Sequence, residues 1–117
     1  MDLWRMLKDA SDLERMTNDP SDNWFLHPSP DGKSVLYLSY AAGTEGHPRN
    51  KHVELRLFSL NDGNCLKLLS LSGGQGTINV ASWNKKGTQF VFVDVLQNAQ
   101  FSQIASDRKL SLGVLFC

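Results

Sequence analysis

A cluster of turn formers, Ser29-Pro30-Asp31-Gly32-Lys33, runs directly into the β-prone stretch Val35-Leu36-Tyr37-Leu38. This arrangement constrains the chain more than any other. Proline presets φ, aspartate can bond its own backbone, and glycine takes the positive φ that a tight reversal needs. The segment from Trp24 to Tyr40 therefore reads as a β-hairpin. Four consecutive apolar residues suit a strand buried on both faces, and such a strand needs a layer above it and another below.

The pattern returns. Setting Gly32 over Gly87 aligns Lys33 with Thr88 and Val35-Leu36-Tyr37-Leu38 with Phe90-Val91-Phe92-Val93. Between the two copies lies another hairpin, Val53 to Leu60 and Asn64 to Leu71, joined by the turn Asn61-Asp62-Gly63, an Asp-Gly signal flanked by apolar residues. It has an earlier echo, because Leu3-Trp4-Arg5-Met6-Leu7 parallels Glu54-Leu55-Arg56-Leu57-Phe58. Asp2 to Leu7 and Leu13 to Thr17 are thus expected as an outer pair of strands. Taken alone, Leu3, Leu7, Leu13 and Met16 also stand near helical spacing; the repeat favours strand.

These residues carry a resemblance. Asn23-Trp24-Phe25 with His27-Pro28-Ser29-Pro30-Asp31-Gly32, and Gly73-Gly74-Gln75-Gly76-Thr77-Ile78-Asn79 with Ser82-Trp83, resemble the blade repeat of TolB-like β-propellers over roughly residues 2 to 95. The second turn departs from the pattern, with Asn84-Lys85-Lys86-Gly87 in place of Ser-Pro-Asp-Gly. Lacking proline, it is expected to be looser. The resemblance implies an all-β fold of antiparallel four-stranded blades, an incomplete β-propeller of about two blades over residues 1 to 95. Residues 96 to 117 read as a tail that is either an outer strand or sequence foreign to the repeat.

Length limits the architecture. A blade takes about 40 to 45 residues and a ring at least four blades, whereas the chain has 117 residues. Open blade faces and sheet edges invite other polypeptide. The two readings are a piece of a longer propeller, which is preferred, and self-assembly of several copies into a closed ring.

Charge points to no partner class. Twelve Lys and Arg balance twelve Asp and Glu, and no basic stripe marks a nucleic-acid surface. No run approaches membrane-spanning length, and the start Met1 to Asp12 lacks the apolar stretch of a secretory leader. The resemblance nevertheless implies a periplasmic or envelope location. Cys65 and Cys117 form no metal spacing and read as free thiols.

Ala41 to Lys51 is a polar insertion with two glycines and a proline, hence a surface loop. In an up-and-down blade it emerges on the same rim as Asn18 to Asn23 and Ser72 to Asn79. A bound protein or peptide is expected there, and the residues singled out for partner contact are Asp22, Asn23, Trp24, Glu45, His47, Arg49, Asn50, Gln75 and Asn79. His27, Glu45, His47 and His52 include zinc-ligand types, but their spacing is that of no known site, so neither metal nor other cofactor is expected. Gly73-Gly74-Gln75-Gly76-Thr77 looks like a phosphate cradle, yet a β-prone stretch follows where a helix should open. No Gly-x-Ser-x-Gly elbow occurs, and the chain is read as non-catalytic.

The resemblance implies protein–protein recognition. The alternative is a propeller that gates a prolyl-oligopeptidase-like hydrolase domain lying outside this chain.

Overall fold

A computed structural model describes residues 1–74, 81–96 and 109–116. Every regular element among them is a strand: β1 (Trp4–Arg5), β2 (Glu14–Arg15), β3 (Asp22–Pro28), β4 (Ser34–Tyr40), β5 (Lys51–Ser59), β6 (Cys65–Gly73), β7 (Ser82–Trp83), β8 (Gln89–Leu96) and β9 (Lys109–Phe116). They form three antiparallel sheets, ordered β1-β2, β3-β4-β5-β6 and β7-β8-β9.

The four-stranded sheet is the middle layer, and β4 explains why. Successive side chains of a strand point to opposite faces. Leu36, Leu38 and Tyr40 join Val53, Leu55 and Leu71 in a core closed from the other side by Ala81, Phe90 and Phe92. Val35 and Tyr37 face the opposite way, against Leu3 and Phe58. Both faces of β4 are covered, as its unbroken apolar run requires, and each fully buried side chain of this size stabilises by roughly 1.5–3 kcal/mol.

The amino-terminal segment is a hairpin, although its strands are shorter than the sequence suggests. Only Trp4↔Arg15 and Arg5↔Glu14 pair as strands, and Met16 N–H donates to the Leu3 carbonyl over 2.8 Å. The helical stripe is not what the molecule buries. Leu3 is 2% exposed, whereas Leu7 and Leu13 are 55% and 64% exposed. Leu3 and Met16 plug the outer face of the central sheet, and Arg5–Glu14 and Arg15–Asp2 ion pairs brace the hairpin.

The two repeated turns match bond for bond. Gly32 N–H donates to Ser29 O and Ser29 N–H to Ser34 O; Gly87 N–H donates to Asn84 O and Asn84 N–H to Gln89 O. Gly32 and Gly87 have φ of 72° and 71°, a conformation that favours glycine. Where the second copy lacks proline, the Asn84 side chain ties the turn: its Oδ1 accepts from the N–H groups of Thr88 and Gln89 at 3.0 and 3.2 Å. In the first turn Ser29 Oγ takes the corresponding bond from Ser34 N–H at 3.0 Å.

Beyond Leu96 the chain re-enters the third sheet, with β9 paired to β8 from Gln89↔Phe116 to Leu96↔Lys109. On the central sheet, the Tyr37 hydroxyl lies 2.8 Å from Cys65 Sγ. Burial, reinforced by that contact, pushes the phenol above its ordinary pKa. Cys65 is a free, exposed thiol, and Cys117 lies outside the described residues.

Candidate functional site

The register of the central sheet gathers its irregular segments at one end. Asp22 pairs with Tyr40, Tyr40 with Val53, and Lys51 with Gly73. The approach to β3, the insertion between β4 and β5, and the exit from β6 therefore share a rim.

The insertion is fastened to the sheet at several points. Gly43 N–H donates to Asp22 Oδ2 at 3.1 Å, and the Tyr40 hydroxyl donates to the Pro48 carbonyl at 3.2 Å. Thr44 closes a turn inside the loop, its hydroxyl donating to Ala41 O at 2.6 Å. Gly74 completes the clamp. Its φ is 115°, and a Cβ there would land on the Pro48 carbonyl oxygen and the Tyr40 hydroxyl.

Between these anchors the loop lays His47 over two aromatic rings of β3. The imidazole meets Trp24 and Phe25 edge-on, with centroids 4.6 and 5.0 Å apart. Phe25 has φ of 56°, and the pairing of β3 with β4 skips from Trp24↔Leu38 to His27↔Leu36. Two residues thus oppose one, a β-bulge that re-aims side chains next to the rim. A bulky residue in the left-handed region is uncommon and strained. The apolar sequence around Trp24 carries no glycine to signal it, so Phe25 and its contact with His47 were not legible in advance. Tyr40, whose hydroxyl holds Pro48, is the other rim residue that sequence pattern did not single out.

The residues singled out earlier fall into distinct settings. Asp22 anchors the loop and is also met by the Met1 amino group at 2.6 Å. Trp24 lies half-buried against the main core. Glu45, Arg49 and Asn50 are exposed on the loop, with His47 turned inward. Gln75 and Asn79 lie outside the described residues.

Asn23 is the exception. It is 1% exposed, its Oδ1 accepts from the Ser39 hydroxyl at 2.5 Å, and its amide donates to Thr17 Oγ1 and Asp19 Oδ2 at 3.4 Å each. Its side chain joins parts of the fold.

On the opposite face of the sheet, Ser21, Ser39, Tyr40, His52, Glu54 and Arg56 line a small cleft. Arg56 is held there by Glu54 at 2.7 Å and Asp19 at 3.7 Å. The histidines do not converge: His47 lies on the aromatics, His52 lines the cleft, and the His27 carbonyl receives Trp83 Nε1 at 2.8 Å. Among the described residues no group of three or more His, Cys, Asp or Glu is placed to hold a metal ion. No helix among them is long and apolar enough to cross a membrane.

Comparison with known proteins adds two relatives. An uncharacterized protein of Agrobacterium fabrum is 41% identical over 93 residues, which is 80% of this chain and 32% of the relative. A solved structure provisionally named TolB, from Agrobacterium tumefaciens, is also 41% identical, with a TM-score of 0.69 over 74% of this chain and 31% of that one. The chain therefore spans about a third of the length of the relatives it matches. No family profile matches the sequence.

Proposed function

We propose that the chain is part of a TolB-like β-propeller whose rim recognises a protein partner of the cell envelope, without catalysing a reaction. In this reading β3–β6 is one complete blade, and β1–β2 and β7–β9 belong to its neighbours. The observation that carries it is the likeness in both sequence and fold to the solved Agrobacterium structure, joined to a four-stranded sheet packed on both faces by other sheets. The three sheets among the described residues do not close a ring of at least four blades, so in this reading the ring is completed by further polypeptide.

The tethered insertion supplies the contact surface. It presents Glu45, Arg49 and Asn50 outward while its backbone is pinned at Asp22, Tyr40 and Gly74. A loop ordered before binding loses less entropy on binding. Because it carries both charge signs, orientation and register come from complementarity with the partner and not from net attraction.

Cross-linking capture from envelope extract, using the wild-type chain and a Glu45→Ala/Arg49→Ala variant of matched melting temperature, tests the reading. A partner held by the wild type and lost by the variant is the expected result. Equal capture by both, or capture by neither, counts against rim recognition.

A further inference from the structure

The indole N–H of Trp24 is buried and makes no hydrogen bond. Protein interiors seldom leave such a donor unpaired, and each instance calls for a reason. The other tryptophans show the usual solutions: Trp83 donates to the His27 carbonyl at 2.8 Å, and Trp4 is 50% exposed to water. Trp24 differs by its place, at the bulge where Phe25 is forced to φ of 56° and under a loop side chain, His47, that touches it through ring edges.

We infer that Trp24 Nε1 is the anchoring donor for an uncharged amide carbonyl, the group an extended partner segment offers from its main chain, and that His47 is the side chain displaced when it binds. The inference deepens the rim-recognition reading and rests on it. The rings of Phe25 and His47 pack against the indole that carries this buried donor, and a carboxylate would lose far more hydration on burial there than an amide does. His47 packs edge-on against the indole and leaves its donor unpaired, so an incoming carbonyl that displaces it exchanges a ring contact for a hydrogen bond. The cover stands on turns at Gly43 and Gly46, with φ of 79° and 65°, so His47 is carried by the loop and not by the sheet.

Three indole cross-peaks in a proton–nitrogen spectrum of the full chain, assigned with single Trp→Phe variants, read this directly. The probe is N-methylacetamide, a single peptide unit. The expected result is a saturable downfield shift of the Trp24 peak with the Trp83 peak unmoved. Titration of His47→Ala should be tighter by about threefold or more, because removing the cover raises the competent fraction; its unmoved Trp83 peak also checks the fold. No saturable Trp24 shift in either protein, or parallel drift of all three peaks, overturns the inference. So does acetate shifting the Trp24 peak at lower concentration than N-methylacetamide. An intact Trp24 response with unchanged capture by the Glu45→Ala/Arg49→Ala variant would sink rim recognition alone; the reverse pattern would sink the carbonyl anchor alone.

Discussion

Trp83 Nε1 donates to the carbonyl oxygen of His27 at 2.8 Å, a bond between residues 56 positions apart that joins the third sheet to the first strand of the second. The same indole meets Phe90 edge-on with centroids 5.2 Å apart and borders the main core. One side chain thus supplies both packing and a fixed register between layers that share no ladder.

Trp83→Ala removes both contributions and should destabilise the chain by about 3 kcal/mol, the lower end for deleting a core aromatic because the ring is half-buried. Trp83→Phe keeps most of the packing and loses the hydrogen bond, for about 1 kcal/mol. Urea melts of the three proteins check the order. An alanine variant as stable as the phenylalanine variant would remove the ring from the junction.

Gly74→Ala tests the clamp on the insertion. The added methyl collides with the Pro48 carbonyl and the Tyr40 hydroxyl, and the backbone stands at φ of 115°, where an L side chain is strained. The expected cost is about 2 kcal/mol or more. Hydrogen exchange should rise across residues 41–50 while β4 stays protected. Unaltered exchange in the loop would mean that Gly74 does not hold it.

The Asp31 turn has a pH signature. Its carboxylate accepts from the Ser29 hydroxyl at 2.5 Å and from Lys33 N–H at 3.0 Å, and these bonds, the Ser29 bond foremost, hold its pKa below the ordinary aspartate value. A carboxylate depressed in the folded state contributes stability that is fully present above the unfolded value of about 3.9 and disappears as pH falls through the lower folded value. Asp31→Asn should therefore melt below the wild type at neutral pH, and the two should converge toward pH 2. A constant gap across that range would locate the effect elsewhere.

How far sequence reading reached depends on whether the cause was local. The turn chemistry of Gly32 and Gly87 fixed the period, and the apolar run of β4 announced two covering layers. Both follow from residues adjacent in the chain. The amino-terminal hairpin was read as strand from the repeat, although Leu3, Leu7, Leu13 and Met16 stand near helical spacing; what buries it, Leu3 docking against Val35, Tyr37 and Phe58, is a tertiary fact. At the rim, the shared end of three loops was legible from strand alternation. The bulge at Phe25, the inward fold of His47 and the Tyr40–Pro48 bond were not, since each arises from contacts across 8 to 23 positions that no local pattern encodes. Asn23 looked like a rim residue for the same reason, its burial being set by Thr17 and Ser39.

Asn23 also gives the most discriminating stability experiment. Its Oδ1 accepts from the Ser39 hydroxyl and its amide donates to Thr17 Oγ1, which in turn accepts from Leu3 N–H at 2.9 Å. The chain of bonds links β4, β3 and the amino-terminal hairpin inside the fold. Asn23→Ala leaves the Ser39 hydroxyl buried without its acceptor and should cost about 2 kcal/mol, since an orphaned buried polar group loses more than the bond was worth. Ser39→Ala alone leaves Asn23 in the same position. Removing both orphans neither, so the double variant should be more stable than the sum of the single effects predicts, with a coupling of about 1 kcal/mol. Strict additivity would show that the two side chains act independently. If the network also seats the hairpin, amide exchange at Leu3 and Met16 should quicken in Asn23→Ala ahead of any change in β5, because release of Thr17 reaches the hairpin first.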